Sequence, residues 1–334
     1  MREAQSLIRT SDMLATAFGP VIMAALADAQ VVEIMVNPDG RLWIERHGAG
    51  RTACGAVLAP AQVERVIRLV ATHMRRDVTA NAPLVSAELP IGGERFEGVL
   101  PPVAPGPCFS IRKPAGSVIR LDEYVASGVM SGHHADALRR AVLERQNILI
   151  VGGTGSGKTT LANALLAEMA ETGDRLVILE DTRELACGAL DVVQLRTQPG
   201  SVSLSDLVRS TLRLRPDRIV IGEVRGPEAL DMLKAWNTGH PGGIATLHAN
   251  SALAGLSRLE QLVGEAAVNV PHDLISETID SVVFIARQHG SRRVETVASL
   301  CGLGRHGYDL RPIVPDLQLV LPNLPSLQPS ALHH

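Results

Sequence analysis

The sequence predicts an α/β protein, with a parallel-rich sheet in its later part preceded by a smaller α+β unit. Three observations carry this expectation. Short uninterrupted apolar runs, NILIV (147–151), RLVILE (175–180) and the strand within DRIVIGE (217–223), alternate with helix-period segments. That is the pattern of parallel strands covered on both faces. Before residue 119 the elements are hairpin-like strand pairs and separate helices, a mixed α+β pattern. The length of 334 residues, 46% of them hydrophobic, is enough to build two cores.

In chain order, 6–29 reads as a helix with Leu7, Ile8, Leu14, Phe18, Ile22 and Leu26 on one face. VVEIMV (31–36), the turn NPDG (37–40) and RLWIER (41–46) read as a hairpin. A helix at 60–75 keeps Val63, Val66, Ile67 and Val70 at i, i+3, i+4 spacing. Strands are expected at 84–91 and 94–100 around a Gly-Gly turn, then a proline-rich loop at 101–107 and a strand at 109–113. These elements make up a first unit, 1–118, joined by a linker, 119–132, to a second, 133–316. The second unit runs through a helix at 133–145, the strand at 147–151, an amphipathic helix at 159–170 and the strand at 175–180. A helix at 204–214 and the strand at 217–223 follow, and strands at 281–288 and 292–300 close it. The last residues, 317–334, carry no charge and three prolines and are expected to be a disordered tail.

Composition narrows the function classes. A net charge of −3 and only 2% aromatic residues count against a basic nucleic-acid binder with stacking platforms. Four cysteines without a CxxC pair fit neither a zinc cluster nor a disulfide framework and suit a reducing cytosol. Neither a signal-type apolar core nor a run of about 18 apolar residues occurs, so a soluble cytoplasmic protein is expected.

The strongest chemical signal is Gly152-Gly153-Thr154-Gly155-Ser156-Gly157-Lys158-Thr159, a complete GxxxxGK[ST] match between an apolar strand and a helix, with Thr160 next. Its glycines allow successive N–H groups to face phosphate oxygens at a helix N-terminus. Lys158 would then reach the β- and γ-phosphates and the Thr159 hydroxyl would ligate Mg²⁺. A second signal is Glu223, a carboxylate at the end of an apolar strand, suited to orienting or deprotonating water beside the γ-phosphate. Gly222 stands before it, so no strand-end Asp is there to bind the metal. Third, Glu180, Asp181 and Glu184 follow the strand at 175–180, where acids can hold metal-bound waters or place the attacking one; a solvated turn is the plainer reading. Fourth, His240 and His248 flank a Gly-rich turn and could be metal ligands, structural residues or, for His248, a γ-phosphate contact.

Taken together, GGTGSGKTT, ILEDTREL, RPDRIVIGEVRG and GHPGGIATLHAN resemble the Walker A motif, Asp box, Walker B motif and His box of the secretion ATPase superfamily. The short first unit, with GERFEGVLPP (93–102) and FSIRKP (109–114), is most similar to the VirB11-like type IV secretion branch and its conjugal transfer ATPases. Motors of type IV pili and type II secretion share the same boxes. The resemblance implies a RecA-like P-loop domain and hydrolysis of ATP with Mg²⁺. It also implies a homohexameric ring bound to inner-membrane components of a secretion channel, at the cytoplasmic face and without sequence-specific nucleic-acid contact. It makes Glu223 the catalytic acid, with Lys158, Glu184 and His248 in the catalytic set and Thr159, Glu180 and Asp181 at the metal. Arg95 and Arg112 match the segments whose arginines contact phosphate in this family. Two rival classes, a nucleic-acid translocase on the same core and a non-catalytic nucleotide-binding scaffold, fit the charge balance and the acidic residues less well.

Overall fold

A computed structural model describes residues 2–313 apart from 75, 115–117, 199, 289–290 and 306, so the tail expected at 317–334 lies outside the described residues. Two sheets frame the molecule. The first unit begins with α1 (Arg2–Ala27), the three strands β1 (Val31–Val36), β2 (Arg41–Arg46) and β3 (Gly50–Val57), and then α2 (Pro60–His73). It continues through β4 (Leu84–Glu88), β5 (Arg95–Val99) and β6 (Cys108–Arg112). Its strands lie in the order β3-β2-β1-β6-β5-β4, and every pairing is antiparallel. Helices α1 and α2 bury Phe18, Ile22, Val66 and Ile67 with Ile34, Phe96 and Phe109 of the sheet. The expected single helix at 6–29 is broken at Gly19, whose φ of 75° sits just before Pro20. Proline excludes its predecessor from helical geometry and lacks an N–H, and glycine tolerates the positive φ that results.

The second unit opens with α3 (Leu121–Ala126), α4 (Gly132–Leu143), β7 (Ile148–Gly152), α5 (Lys158–Ala170), β8 (Leu176–Glu180) and β9 (Val192–Arg196). Then come α6 (Leu204–Thr211), β10 (Arg218–Ile221), α7 (Glu228–Asn237), β11 (Ile244–His248), α8 (Ala252–Gly264) and α9 (His272–Thr278). Strands β12 (Ser281–Gln288), β13 (Ser291–Gly304) and β14 (Gly307–Pro312) complete it. The sheet order is β14-β13-β12-β7-β11-β10-β8-β9, parallel from β12 to β9 and antiparallel at β13 and β14.

Burial explains the apolar runs. Leu149 and Val151 of β7 enter a core with α6, α7, α8 and α9, while Ile148 and Ile150 of the same strand enter another with α3, α4 and α5. Neither strand face meets water, so no alternation is written into the sequence. The same two-sided burial covers α5, where every residue from 161 to 166 is buried. It is thus not the amphipathic helix the sequence suggests, but one enclosed nearly all round. Within the stretch expected as linker, α3 forms and Leu121, Tyr124 and Met130 are buried in the second unit's core.

Candidate active site

Parallel register gathers the motifs. Strands β7, β11, β10 and β8 are successive neighbours running in one direction, so their carboxyl ends share one edge of the sheet. His248 pairs with Gly152, and Ile221 pairs with Leu179 and Ala245, which brings Glu223, Glu180 and the Gly-rich loop to that edge.

The loop is tightly built. A Cβ on Gly152 would stand 2.3 Å from Ile285 O and 2.5 Å from Ser156 Oγ, so only glycine fits. Gly157 precedes α5 with φ 103°, a conformation that L side chains avoid. Ser156 Oγ is buried without a hydrogen-bond partner among the described residues. Lys158 Nζ turns back to donate to Gly152 O at 3.0 Å and Gly153 O at 3.1 Å, and lies 3.2 Å from His248 Nδ1. Burial pushes its ammonium down to about 8, and Arg112 and Arg225 add to the effect against Glu223 and Glu184.

Glu223 faces this lysine. Its Oε2 accepts from Arg225 Nη2 at 2.7 Å. Its Oε1 is buried with no aligned hydrogen-bond donor, although His248 Nε2 is 2.9 Å away. Burial pushes the carboxyl up, but the Arg225 bond and the charges of Arg225, His248 and Lys158 outweigh it and hold Glu223 below the usual carboxylate range. Burial and Lys158 push the His248 imidazole down, against Glu223, which favours the neutral ring near pH 7.

The acidic segment divides by role. Glu184 reaches the loop: its Oε2 accepts from Thr159 Oγ1 at 3.3 Å, and its Oε1 is 3.6 Å from Arg95 Nη1. Glu180, expected at the metal, accepts through one oxygen, Oε1, from the N–H groups of Glu184 and Leu185 at 2.9 and 2.8 Å, shaping the turn that presents Glu184. Burial pushes the Glu180 carboxyl up to about 7 despite those amides. Asp181, also expected at the metal, accepts from Thr197 Oγ1 at 3.0 Å and lies 3.9 Å from Arg225 Nη1. Both acids border a small recess that adjoins Thr159, Glu184 and Glu223.

The first unit supplies the opposite wall. Arg95 of β5 and Arg112 of β6 are direct cross-strand partners. Like charges placed opposite each other destabilise a sheet, and here Glu88 and Glu33, their other cross-strand partners, and Glu184 near Arg95 offset part of that cost. Both arginines line a cavity of about 500 Å³ that also touches Thr154, Gly155, Gly157, Lys158, Thr159, Thr160, Glu184, Glu223 and His248. Motif reading missed Lys113, Arg183, Arg225 and Arg292, which line it too. Arg225 and Arg183 lay inside the quoted motifs, whereas Arg292 arrives through the β12–β13 pairing. With Arg95, Arg112 and Lys158 the cationic residues far outnumber Glu184 and Glu223, which suits a polyanion such as a nucleoside triphosphate. His240 does not join the site; its Nδ1 is 3.0 Å from Pro216 O, with all of β11 between it and His248. The two rings therefore cannot share a metal ion.

Comparison with known proteins identifies the family. The model of the Type II/IV secretion system protein family matches residues 16–300. The conjugal transfer protein TrbB of Rhizobium radiobacter is 50% identical over 310 residues, spanning 92% of this chain and 95% of that protein. The type IV secretion system protein VirB11 of Bartonella quintana is 30% identical over 322 residues, 83% of this chain and 90% of that one. Among solved structures, the pilus retraction motor PilT with bound ADP shares the fold, with a TM-score of 0.59 at 18% identity over 89% of this chain and 83% of that chain. A family match across both sheets, together with relatives similar over nearly the whole chain, establishes that the protein belongs to the type II/IV secretion system protein family.

Proposed function

We propose that this chain is an ATP-hydrolysing motor of a type IV secretion or conjugative transfer apparatus, acting as a homohexameric ring docked on inner-membrane channel components from the cytoplasmic side. Its similarity to conjugal transfer and type IV secretion proteins supports the setting. No helix among the described residues is long and apolar enough to cross a membrane, consistent with peripheral docking. The observation that carries the enzymatic reading is Glu223: an ionised carboxylate beside the loop lysine, one oxygen bonded to Arg225 and the other buried beside His248 with no aligned donor among the described residues.

The residues fit their ligands. Ser156 Oγ, lacking a partner among the described residues, and the opposed Arg95 and Arg112 are sites that phosphate oxygens would satisfy. Thr159 Oγ1 and Glu184 Oε2, 3.3 Å apart, are hard oxygen donors of the kind Mg²⁺ takes, so these two would hold it rather than Glu180 or Asp181. Held there, the metal would supply positive charge to offset that of the phosphates. Lys158 leaves the Gly152 and Gly153 carbonyls for the phosphate oxygens, and loop N–H groups face them. Glu223 Oε1 accepts a proton from water as the water oxygen attacks the γ-phosphorus and the bond to the bridging oxygen breaks, releasing ADP. Neutral His248, next to both Lys158 and Glu223, orients that water. Arg95 and Arg112 close on the phosphates from the first unit.

Glu223→Gln tests this reading. The amide keeps the shape but cannot take the proton, and loss of a general base costs about 10²–10⁴-fold in rate. Phosphate release should fall accordingly while a fluorescent ATP analogue still binds. Equal loss of affinity and rate would make Glu223 a binding residue instead.

A further inference from the structure

Arg225 is fixed by its backbone before its side chain acts. Gly222 N–H donates to Leu179 O at 2.9 Å, and Gly222 O accepts from Thr246 Oγ1 at 2.6 Å. Val224 N–H donates to Thr246 O at 2.9 Å. Glu228, buried at the start of α7, then accepts from the N–H groups of Arg225 and Gly226 through one oxygen, at 2.7 and 2.9 Å. This turn allows the backbone after Glu223 little freedom. From it the guanidinium reaches back, with Nη2 2.7 Å from Glu223 Oε2 and Nη1 3.9 Å from Asp181 Oδ2. Asp181 is anchored in turn through Thr197. The guanidinium is thereby gripped between the ends of β10 and β8, although half of its side-chain surface is exposed.

A glutamate carboxylate turns freely about its last torsion unless something holds one oxygen. Here Arg225 holds Oε2, and Oε1 is left buried, with His248 Nε2 2.9 Å away but no aligned donor among the described residues. A buried acceptor without a donor is costly unless a ligand or water supplies one. A plain surface ion pair would leave both oxygens in solvent, where such pairs contribute little.

We propose that Arg225 is a positioning residue for hydrolysis: by holding Glu223 Oε2 it keeps Oε1 turned toward the water that attacks the γ-phosphorus. This rests on the reading of Glu223 as the base. The proton passes from water to Oε1, the new bond forms between the water oxygen and phosphorus, and ADP leaves with the bridging oxygen. Arg225 keeps its own proton throughout. Its acidic partners already engage its charge, so it is not chiefly a phosphate ligand, although it lines the cavity.

The test uses the full chain with Arg225→Gln, Arg225→Lys, Glu223→Gln and the Arg225→Gln/Glu223→Gln double variant. Single-turnover hydrolysis, affinity for a fluorescent ATP analogue and the thermal midpoint are read for each. Arg225→Gln should lower the rate about 10²-fold, as a small misplacement of a reacting group does, with affinity unchanged. Arg225→Lys should restore part of the rate, because an ammonium can hold Oε2 but cannot also span to Asp181. In the Glu223→Gln background, Arg225→Gln should cost nothing further, because its effect passes through the carboxylate. Affinity falling as far as rate, or losses that multiply in the double variant, would overturn the proposal. A wild-type rate in Arg225→Gln beside an inactive Glu223→Gln would overturn it while leaving the base intact. Full activity in Glu223→Gln would instead sink the base reading. Should Arg225→Gln fail to fold, Arg225→Lys alone and with Glu223→Gln makes the same comparison.

Discussion

The two sheets differ in what water can reach and in what they bring to the cavity. In the second, β7, β8 and β10 are buried at every position, and their carboxyl ends present the Gly-rich loop, the Glu180 turn and Glu223. In the first, β5 and β6 alternate buried with half-buried positions, and what they present to the cavity is the charge of Arg95 and Arg112. Ion pairs link the sheets: Arg95 with Glu184 at 3.6 Å, Arg287 with Glu45 at 3.8 Å, and Arg196 with Glu88. Exposed pairs of this kind contribute about 0–1 kcal/mol each. The groups proposed to act on water thus sit on the more buried sheet, and the arginines proposed to contact phosphate sit on the sheet joined to it through partly exposed ion pairs.

The largest expected effect comes from the buried sheet. Lys158→Ala should lower turnover by about 10³-fold, the scale for removing a donor to developing charge, with little change in thermal midpoint. Because burial pushes Lys158 down to about 8, half of the free chains have lost its proton near that pH. A bound triphosphate favours the ammonium, so binding should take up a proton and affinity should fall as pH rises past about 8. Calorimetry in buffers of different ionisation enthalpy measures that uptake. If Lys158→Ala kept the uptake, another group would be its source.

A smaller effect is expected from the wet sheet. Arg112→Ala should lower kcat/KM by about 10–100-fold, the scale of one charge-assisted hydrogen bond, and affect ADP affinity less than ATP affinity. Small-angle scattering should show weaker compaction with an ATP analogue and Mg²⁺. Equal loss of ADP and ATP affinity would show that Arg112 does not read the γ-phosphate.

His248 at the end of β11 and His240 before its start give the smallest contrast. His248→Ala should slow turnover at an unchanged thermal midpoint. His240→Ala should lose the Pro216 contact, worth about 0.5–1.5 kcal/mol of stability, and keep its turnover per folded molecule. A reversed outcome would exchange their roles.

Much of the second unit was legible because burial on both faces leaves an uninterrupted apolar run, as in β7, β8 and β10. Two edge strands were not: β3 carries exposed small and polar residues, and β9 is only half-buried, so pairing rather than pattern makes them strands. The α1 break at Gly19-Pro20 was written in the sequence but masked by apolar spacing on either side. At the site, the order of motifs picked out the loop, Glu223 and His248. It could not rank three neighbouring acids, because Glu180, Asp181 and Glu184 differ only in where the turn aims them.

The sequence by itself determined the parallel strands β7, β8 and β10, the phosphate loop and a carboxylate at the end of β10, since each depends on residues close together in the chain. Only the tertiary structure decided which acid meets Thr159, that His240 and His248 part company, and that Arg225 holds one oxygen of Glu223. Those outcomes depend on hydrogen-bond partners and neighbouring charges from segments far apart in the chain, and strand register, which no local pattern encodes, sets those neighbours.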